Sequence, residues 1–231
     1  SSTKVREALN DGSAQYLISA PVLEYCRVAG LYDLPRLFPQ GPEWLAMLFH
    51  DLTYKRFAHT LSVANTAIAL ARNHHLDVRK AEIAALLHDC AKCMPLREMQ
   101  KICRDHALTN DTVIMESGAL LHSIAGAYLA ASVYNIEDPD ILRAISCHTT
   151  GKIGMTRLDM VVYLADKIEP LRPSYPALNK VRMMAPLSLE KAMLYSLEST
   201  QDYVVKQNGK PLHPQSIRTM EWLKTLPELS S

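Results

Sequence analysis

The sequence predicts an all-α protein, a bundle of helices joined by short loops, and three observations support this fold class. No segment alternates β-branched with polar residues in the manner of a strand. Glycine accounts for only 8 of the 231 residues. Apolar residues recur instead at intervals of three and four, which places them along one face of a helix that packs on a core.

Six segments carry this helical spacing, with Asp, Pro or Gly between them. Asp138 followed by Pro139 is a start signal, because the Asp side chain can accept a hydrogen bond from a free backbone amide while proline already has a helical φ. Glu169 followed by Pro170 is a stop signal, because a residue before proline disfavours helical geometry. In chain order the predicted helices are 59–73, 78–92, 120–134, 139–147, 157–169 and 189–206.

Proline and glycine cluster between residues 35 and 43 and interrupt the helical pattern. We therefore predict three units: a short N-terminal helical appendage at 1–34, a linker at 35–48 and the main helical domain at 49–231. A chain of this length with 48% hydrophobic residues can bury one substantial core.

The overall composition excludes several classes of partner. Lys and Arg number 25 against 24 Asp and Glu, and the net charge of +1 supplies no broad electrostatic surface for nucleic acid or an anionic membrane. The longest apolar runs fall well short of the roughly 20 residues that cross a bilayer, and the first residues lack a secretory signal pattern. We expect a cytoplasmic protein whose five cysteines, including the Cys90 and Cys93 pair, are reduced and pack as apolar side chains.

Four histidines and two aspartates stand among apolar residues of the predicted helices, so their side chains are expected to point inward. Buried polar groups need partners, and imidazole nitrogens and carboxylates that converge from several helices form metal sites. If one aspartate bridges two ions, three of the other residues complete one site and two complete the other. The first group is His59, His88 and Asp166, the second is His122 and His148, and the bridging residue is Asp89.

Packing without a metal is the alternative for each histidine taken alone. A single histidine on an apolar helix face is more often a hydrogen-bonded core residue, and His59 or His122 alone would be interpreted in that way. The adjacent pair His88 and Asp89 is different, because burying a carboxylate and an imidazole together without a compensating charge is unfavourable. The whole set therefore indicates a catalytic metal site with positions open for water and phosphate.

The order of these residues, H…HD…H…H…D, resembles the HD-domain superfamily, and in particular its YqeK branch of symmetrical diadenosine tetraphosphate hydrolases. The resemblance covers residues 50–225 and is carried by the segments FAHTLSVANTAIALA, AALLHDCAK, LLHSIAGAYLA, ISCHTTGK and VVYLADKIEPLR. It implies an HD-domain helical bundle with two divalent metal ions, usually iron, with manganese, magnesium, cobalt and zinc as alternatives. The ligands that it implies are His59, His88, Asp89, His122, His148 and Asp166.

Two residues are assigned to catalysis. Asp89 would hold both ions, which activate a water and neutralise charge on the leaving oxygen. Lys92, one helical turn after His88 in the predicted helix, would stabilise the transition state and contact the substrate phosphates. A solvated lysine at a helix end is the alternative for Lys92, and the resemblance to HD(Y/C)AK segments favours the functional interpretation.

Further substrate contacts are expected where the chain leaves a helix. The turn after His148 offers phosphate the hydroxyls and backbone amides of Thr149, Thr150 and Gly151, although turn chemistry also explains these residues. Arg172, just after the predicted helix stop, is a further candidate for phosphate binding.

Residues 1–33 resemble a second family, because they look like the C-terminal tail of bacterial nicotinate-nucleotide adenylyltransferases. Ser1, Ser2, Thr3 and Arg6 match a Ser-Ser-Thr-x-x-Arg motif that opens a helix and binds nucleotide phosphate. A Ser/Thr cluster before an apolar pattern is also an ordinary helix cap. The match implies a chain fused to, or derived from, such a transferase. The Gly-rich loop and catalytic histidines of a transferase are absent here, so we expect no adenylylation by this chain itself.

The function predicted from these features is symmetrical cleavage of diadenosine tetraphosphate into two ADP. One alternative keeps the site and changes the substrate, to another nucleotide, a phosphodiester or an alarmone. Another is a non-catalytic nucleotide-binding module, although such a module has no need of open metal positions. Nucleic-acid and membrane partners are not expected, and a homodimer is left open.

Overall fold

The computed structural model describes residues 42–209 and 211–229, and within these ranges every regular element is a helix. The predicted all-α fold class is therefore confirmed. A 3-10 turn, Pro227–Leu229, follows the last α-helix. The α-helices of the described ranges are α1 (Pro42–Asp51), α2 (Tyr54–Asn73), α3 (Val78–Leu87), α4 (Leu96–Asp105), α5 (Thr112–Met115), α6 (Gly118–Ser132), α7 (Pro139–Cys147), α8 (Arg157–Ile168), α9 (Pro176–Met184), α10 (Leu189–Asn208) and α11 (Pro214–Lys224).

The predicted N-terminal appendage, residues 35–41 of the predicted linker and Cys26 lie outside the described residues. Residues 42–48, which the sequence pattern assigns to the linker, form most of α1. Leu45 and Leu48 of this helix are buried in the main core. This part of the segment therefore packs with the helical domain, while the boundaries of the three predicted units remain a prediction.

Local signals near the ends of two helices act as the sequence suggests. The Asp138 side chain accepts a hydrogen bond from the backbone N–H of Asp140, and proline occupies the first turn of α7. Helix α8 ends at Ile168, where Glu169 leaves helical geometry immediately before Pro170. These local signals fix where α7 begins and where α8 ends.

The main core is built around α8, which packs against α2, α3, α7 and α10. Met160 and Leu164 lie on its buried face, and Leu87 of α3 and Ile145 of α7 join the same core. Burying each of these side chains stabilises the fold by roughly 1.5–3 kcal/mol relative to exposure. Because α3 and α7 end against this core, the residues that directly follow them enter the interior of the protein.

The predicted helix over 78–92 ends earlier than its apolar pattern indicates. Helix α3 stops at Leu87, and residues 88–93 continue as turns. Nδ1 of His88 donates a hydrogen bond to the carbonyl oxygen of Ala85 at 2.6 Å, which satisfies one of the free carbonyls at the helix end. Lys92 therefore lies in a turn, and its predicted position on the same helix as His88 is wrong.

None of the helices in the described ranges is long and apolar enough to span a membrane. The cysteines in these ranges are free thiols, and Cys93 alone among them is exposed. Burial raises the pKa of Cys90 and of Cys147 to about 12, so both thiols stay protonated at neutral pH. This agrees with the interpretation that these buried cysteines pack as apolar side chains.

Candidate metal centre

Six polar side chains meet inside the main core. Five of them are buried, and the side chain of Asp166 is 24% exposed. The structure thus brings together every residue that the sequence analysis named as a metal ligand. The six are His59 on α2, His88 and Asp89 directly after α3, His122 on α6, His148 directly after α7, and Asp166 on α8.

All four histidines of this cluster are held through Nδ1. Because the atoms facing Nδ1 are oxygens that accept hydrogen bonds, Nδ1 carries the hydrogen, and in the neutral form of each ring Nε2 presents a lone pair to the cluster. This is the tautomer that allows a histidine to bind a metal ion through Nε2. The acceptors are Glu169 Oε1 for His59 (3.1 Å) and the backbone carbonyl oxygens of Ala85 for His88 (2.6 Å), Gly118 for His122 (3.1 Å) and Ile145 for His148 (2.7 Å).

Asp89 lies between two groups of histidines, with one carboxylate oxygen facing each group. Oδ2 is 3.8 Å from Nε2 of His59 and 3.7 Å from Nε2 of His88. Oδ1 is 2.9 Å from Nε2 of His122 and 3.8 Å from Nε2 of His148. Each group has the spacing to hold one metal ion, and the two groups share Asp89.

Asp166 faces the first of these groups. Its Oδ1 is 3.0 Å from Nε2 of His59 and 3.8 Å from Nε2 of His88. Ligand atoms that each lie about 2 Å from one first-row metal ion are about 3 Å or slightly more from one another. The separations around His59 are therefore those of a single coordination sphere.

Three buried nitrogen and oxygen atoms of the cluster have no hydrogen-bond partner among the described residues. They are Nε2 of His59, Nε2 of His88 and Oδ1 of Asp89. In addition, Nε2 of His122 and Nε2 of His148 are 3.1 Å apart, so that two lone pairs face each other. Burying such atoms without a partner is costly. Cations placed among them would remove this cost, and the residues therefore fit a pair of divalent metal ions.

The pKa values of three of the clustered histidines are shifted in different directions by their surroundings. Burial and the neighbouring histidines lower the pKa of His148 to about 3, and burial also lowers the pKa of His88. Burial opposes the charged form of His59 as well, but Asp166 and Glu169 raise its pKa to about 9. His88 and His148 are thus neutral imidazoles, the form that binds metal. At His59 a metal ion would take the place of the proton on Nε2.

Three cations flank the two carboxylates. Nζ of Lys92 is 3.5 Å from Oδ1 of Asp89, and Nη1 of Arg56 is 3.3 Å from Oδ2. Nη2 of Arg172 donates to Oδ1 of Asp166 at 2.7 Å. Burial opposes ionisation of both carboxyls, but the facing histidines, with Lys92 at Asp89 and Arg172 at Asp166, hold their pKa values below the usual range. Cations in such positions can also meet phosphate oxygens.

Sequence reasoning missed Arg56 and missed the role of Glu169, which it used only as a helix stop. Arg56 stands three residues before His59, and Glu169 stands three residues after Asp166. Residues three apart lie on the same face of a helix. This spacing from a candidate ligand is the signal that could have found Arg56. Glu169 lies just past the end of α8, where helical spacing is a weaker guide.

The three candidates for phosphate binding in the turn after α7 have different surroundings. Thr149 lines a cleft of about 180 Å³ together with Lys92. Thr150 and Gly151 are buried, and the Gly151 carbonyl oxygen accepts hydrogen bonds from Oγ1 of Thr150 and from Nε2 of Gln215 on α11. Thr150 and Gly151 therefore pack toward α11, and these contacts give no support to the phosphate role predicted for them.

Comparison with known proteins agrees with the geometry. The HD domain family model matches residues 56–171. The symmetrical bis(5'-nucleosyl)-tetraphosphatase of Bacillus subtilis is 40% identical over 181 residues, which are 78% of this chain and 96% of that protein. A Mycoplasma genitalium protein named probable nicotinate-nucleotide adenylyltransferase/Ap4A hydrolase is 32% identical over 194 residues, which are 81% of this chain and 51% of that protein.

A solved structure shows the same architecture. The crystal structure of a Clostridium acetobutylicum protein described as a predicted HD superfamily hydrolase involved in NAD metabolism matches with a TM-score of 0.75 and 36% sequence identity, covering 79% of this chain and 95% of that chain. The family model spans half of the sequence, and all six clustered side chains lie within the residues that it matches. These matches confirm the resemblance seen in the sequence, and the chain belongs to the HD domain family.

Proposed function

We propose that the chain is a metal-dependent phosphohydrolase that cleaves diadenosine tetraphosphate symmetrically into two molecules of ADP. The observation that carries this proposal is the position of Asp89, whose two carboxylate oxygens face two separate groups of histidines. One carboxylate between two such groups suits a pair of divalent ions, an arrangement used in phosphate ester hydrolysis. The substrate is the one named for the Bacillus subtilis relative, which is 40% identical.

The six clustered side chains divide into two ligand sets in this proposal. Four imidazoles favour iron or zinc over magnesium, because magnesium prefers oxygen ligands. Iron is the metal that the resemblance to the YqeK branch implies, with manganese, cobalt and zinc as alternatives. One ion would be held by His59, His88, Asp89 and Asp166, and the other by Asp89, His122 and His148.

The proposed reaction breaks the central linkage of the substrate. A water oxygen forms a bond to one of the two central phosphorus atoms, the bond from that phosphorus to the central bridging oxygen breaks, and the bridging oxygen leaves with the second ADP. The protons of the water are released to solvent. When bound, the two divalent ions supply activation of the water and neutralise charge on the phosphate oxygens.

The chain itself positions the reacting groups. Lys92 lies beside Asp89, where its ammonium group can donate hydrogen bonds to a phosphate as charge moves onto the leaving oxygen. Arg172 is tied to Asp166 through two of its donors, one to the carboxylate and one to the backbone carbonyl, both at 2.7 Å. Its remaining donors are free to orient a second phosphate.

Metal content and product analysis of the wild type and of Asp89→Ala test the proposal. The protein is loaded with ferrous iron without oxygen and given diadenosine tetraphosphate, diadenosine triphosphate, ATP and a cyclic dinucleotide. We expect about two ions per chain and ADP as the sole product from diadenosine tetraphosphate, with both lost in Asp89→Ala. Release of AMP and ATP, or turnover of another substrate alone, would overturn the substrate assignment. Bound metal without any turnover would favour a binding module.

We also infer that the natural protein joins this domain to a nicotinate-nucleotide adenylyltransferase. Support comes from the match of Ser1, Ser2, Thr3 and Arg6 to the motif in the tail of those enzymes. The Mycoplasma genitalium relative, whose name combines both activities, is about twice as long as the segment that it shares with this chain. Determining the full reading frame tests this inference, and a frame without an upstream transferase would refute it.

A further inference from the structure

A cleft lies beside the metal centre, between the beginning of α2 and the segment that follows α8. It encloses about 490 Å³, and Tyr54, Arg56, Leu171 and Arg172 are among the residues that line it. This volume falls in the range of roughly 300–1,000 Å³ that is typical of sites for small molecules. His59 also lines the cleft, so the cleft is continuous with the metal centre.

We propose that this cleft binds one nucleoside diphosphate half of the substrate, with its phosphates at Arg56 and Arg172 and its nucleoside beside Tyr54 and Leu171. The inference rests on the proposed function, because that reaction supplies a substrate with a nucleoside diphosphate at each end. It goes further by assigning the recognition of one half to a particular surface. Arg56, Tyr54 and Leu171 have no role in the proposed chemistry otherwise.

The charge of the cleft suits phosphates. Lys55, Arg56 and Arg172 line it, against a single acidic side chain, that of Glu169. The Glu169 carboxylate is already engaged by Nδ1 of His59 and by the backbone N–H of Leu171. The cleft therefore offers an anion three cations and no free carboxylate.

The two guanidinium groups stand where the cleft meets the metal centre. Arg56 contacts Oδ2 of Asp89, and Arg172 contacts Oδ1 of Asp166. Each guanidinium carries five N–H donors, and the side chains of Arg56 and Arg172 are 40% and 38% exposed. Both can therefore hold a ligand carboxylate with one edge and a substrate phosphate with another. A phosphate bound in this way would lie next to the site of hydrolysis.

Apart from Thr53, the remaining lining of the cleft is apolar and aromatic. Tyr54 is 75% exposed and Leu171 is 41% exposed, and Ala58 and Pro173 also line the cleft. Exposed apolar side chains next to cations suit a ligand that is flat and apolar at one end and anionic at the other. A nucleoside diphosphate has this character, whereas inorganic polyphosphate does not.

A second cleft beside the metal centre has a different character. It is lined by Lys92, Thr149, Asp166 and Lys167, among others, and encloses about 180 Å³. This is below the roughly 300 Å³ at which sites for small organic ligands begin, and it suits phosphate groups alone. The larger cleft is therefore the one of the two with room for a nucleoside.

Calorimetric titration of the metal-loaded full chain tests the proposal, with ADP, adenosine and inorganic pyrophosphate as probes. The variants are Arg56→Ala, Arg172→Ala and Tyr54→Ala, and the matched control is Arg97→Ala, an exposed arginine on α4. We expect Arg56→Ala and Arg172→Ala to weaken binding of ADP and of pyrophosphate by about tenfold or more. Tyr54→Ala should weaken binding of ADP and adenosine by about fivefold and leave pyrophosphate unchanged.

Two results would overturn the proposal. If ADP binds to all three cleft variants as tightly as to Arg97→Ala, the nucleotide occupies another surface. If pyrophosphate binds as tightly as ADP and Tyr54→Ala changes neither, the cleft is a phosphate site and the nucleoside assignment fails. Metal content is measured for each variant, and binding is compared only at equal metal loading, so that a disturbed metal centre is not mistaken for a lost nucleotide contact.

These measurements separate the cleft from the reaction, because binding of ADP requires no turnover. Loss of ADP affinity in the cleft variants, together with a wild type that cleaves no diadenosine tetraphosphate, would support the cleft and reject the proposed function. Symmetrical cleavage by the wild type with an unchanged KM in all three variants would support the proposed function and reject the cleft.

Discussion

Oε1 of Glu169 accepts a hydrogen bond from Nδ1 of His59 at 3.1 Å, and this contact joins the end of α8 to α2 inside the metal centre. The other carboxylate oxygen of Glu169 accepts from the backbone N–H of Leu171 at 2.6 Å. Arg182 holds the same segment by donating to the carbonyl oxygens of Ile168 and Glu169. A carboxylate fixed in this way orients the His59 ring, as carboxylates behind metal-ligating histidines do in other proteins.

Removing this carboxylate should weaken metal binding. Loss of the group behind a ligating histidine costs about 10–100-fold in metal affinity. We expect Glu169→Gln, which can still accept from Nδ1, to lose about tenfold, and Glu169→Ala to lose about a hundredfold. Competition with a chromogenic chelator measures the affinity directly. The matched control is Glu190→Gln, which alters a partly buried glutamate that pairs with Arg157 on another part of the surface.

A structural role alone would give a different result for Glu169. If both variants lower the melting temperature yet bind metal as tightly as the wild type, Glu169 stabilises the fold and does not position His59. If Glu190→Gln loses as much metal affinity as the Glu169 variants, the loss is not specific to Glu169, and Glu169 does not position His59.

The convergence of the clustered side chains was predictable from the sequence because each ligand stands in an apolar context. An imidazole or a carboxylate surrounded by Ala and Leu has to point into the core or remain unsatisfied. The side of Asp89 that each histidine faces also follows the predicted grouping. The group behind His59 was not predictable, because its partner is the Glu169 side chain, 110 residues away and just past the end of a helix.

The end of α3 shows a second limit of the sequence pattern. Apolar spacing continues past Leu87, but His88 turns back to bond the Ala85 carbonyl and the chain leaves the helix. Periodicity reports which face is buried and contains no information about a side chain that satisfies the helix end. Helix α4 escaped prediction although its apolar residues Leu96, Met99, Ile102 and Cys103 keep the helical spacing of three and four. The signal for this helix was therefore present in the sequence.

Removing the metal should destabilise the fold. A ligand that binds only the folded state adds about 2.7 kcal/mol when its free concentration is a hundred times its Kd. For a chain of this size that corresponds to about 5–10 °C in the melting temperature. We expect a chelator to lower the melting temperature by this amount and added manganese or iron to restore it. Asp89→Ala serves as the control and should not respond to either addition, while an identical melting curve for wild type with and without chelator would mean that no metal binds.

Lys92 should contribute to turnover and not to metal retention. Its ammonium group lies 3.5 Å from Asp89 Oδ1 and 3.1 Å from Nε2 of His122, and a cation next to metal ligands does not itself attract metal ions. Removing one group that stabilises transition-state charge costs about 100–1,000-fold in kcat. We expect Lys92→Met to show such a loss with about two ions still bound.

The matched control for this prediction is Lys101→Met, which removes an exposed lysine that pairs with Asp105 on α4. It should leave kcat unchanged. Loss of metal in Lys92→Met would show that Lys92 supports the ligand cluster instead, and an unchanged kcat would place Lys92 outside the reaction.

The turn that carries Thr149 should depend on Gly151 more than on the neighbouring Gly154. Both glycines have a left-handed backbone, with φ of 68° and 75°, and alanine in this region costs roughly 1–2 kcal/mol. A Cβ on Gly151 would in addition lie 2.8 Å from Cγ2 of Thr219, whereas a Cβ on Gly154 would meet nothing within 4 Å. Thr219 is fully buried and its hydroxyl donates to the Gln215 carbonyl oxygen at 2.8 Å, so it cannot move away freely. Overpacking of this kind costs about 1–3 kcal/mol more, and we expect urea denaturation to show Gly151→Ala less stable than Gly154→Ala by that amount. Equal free energies of unfolding for the two variants would show that α11 shifts to accommodate the added methyl group.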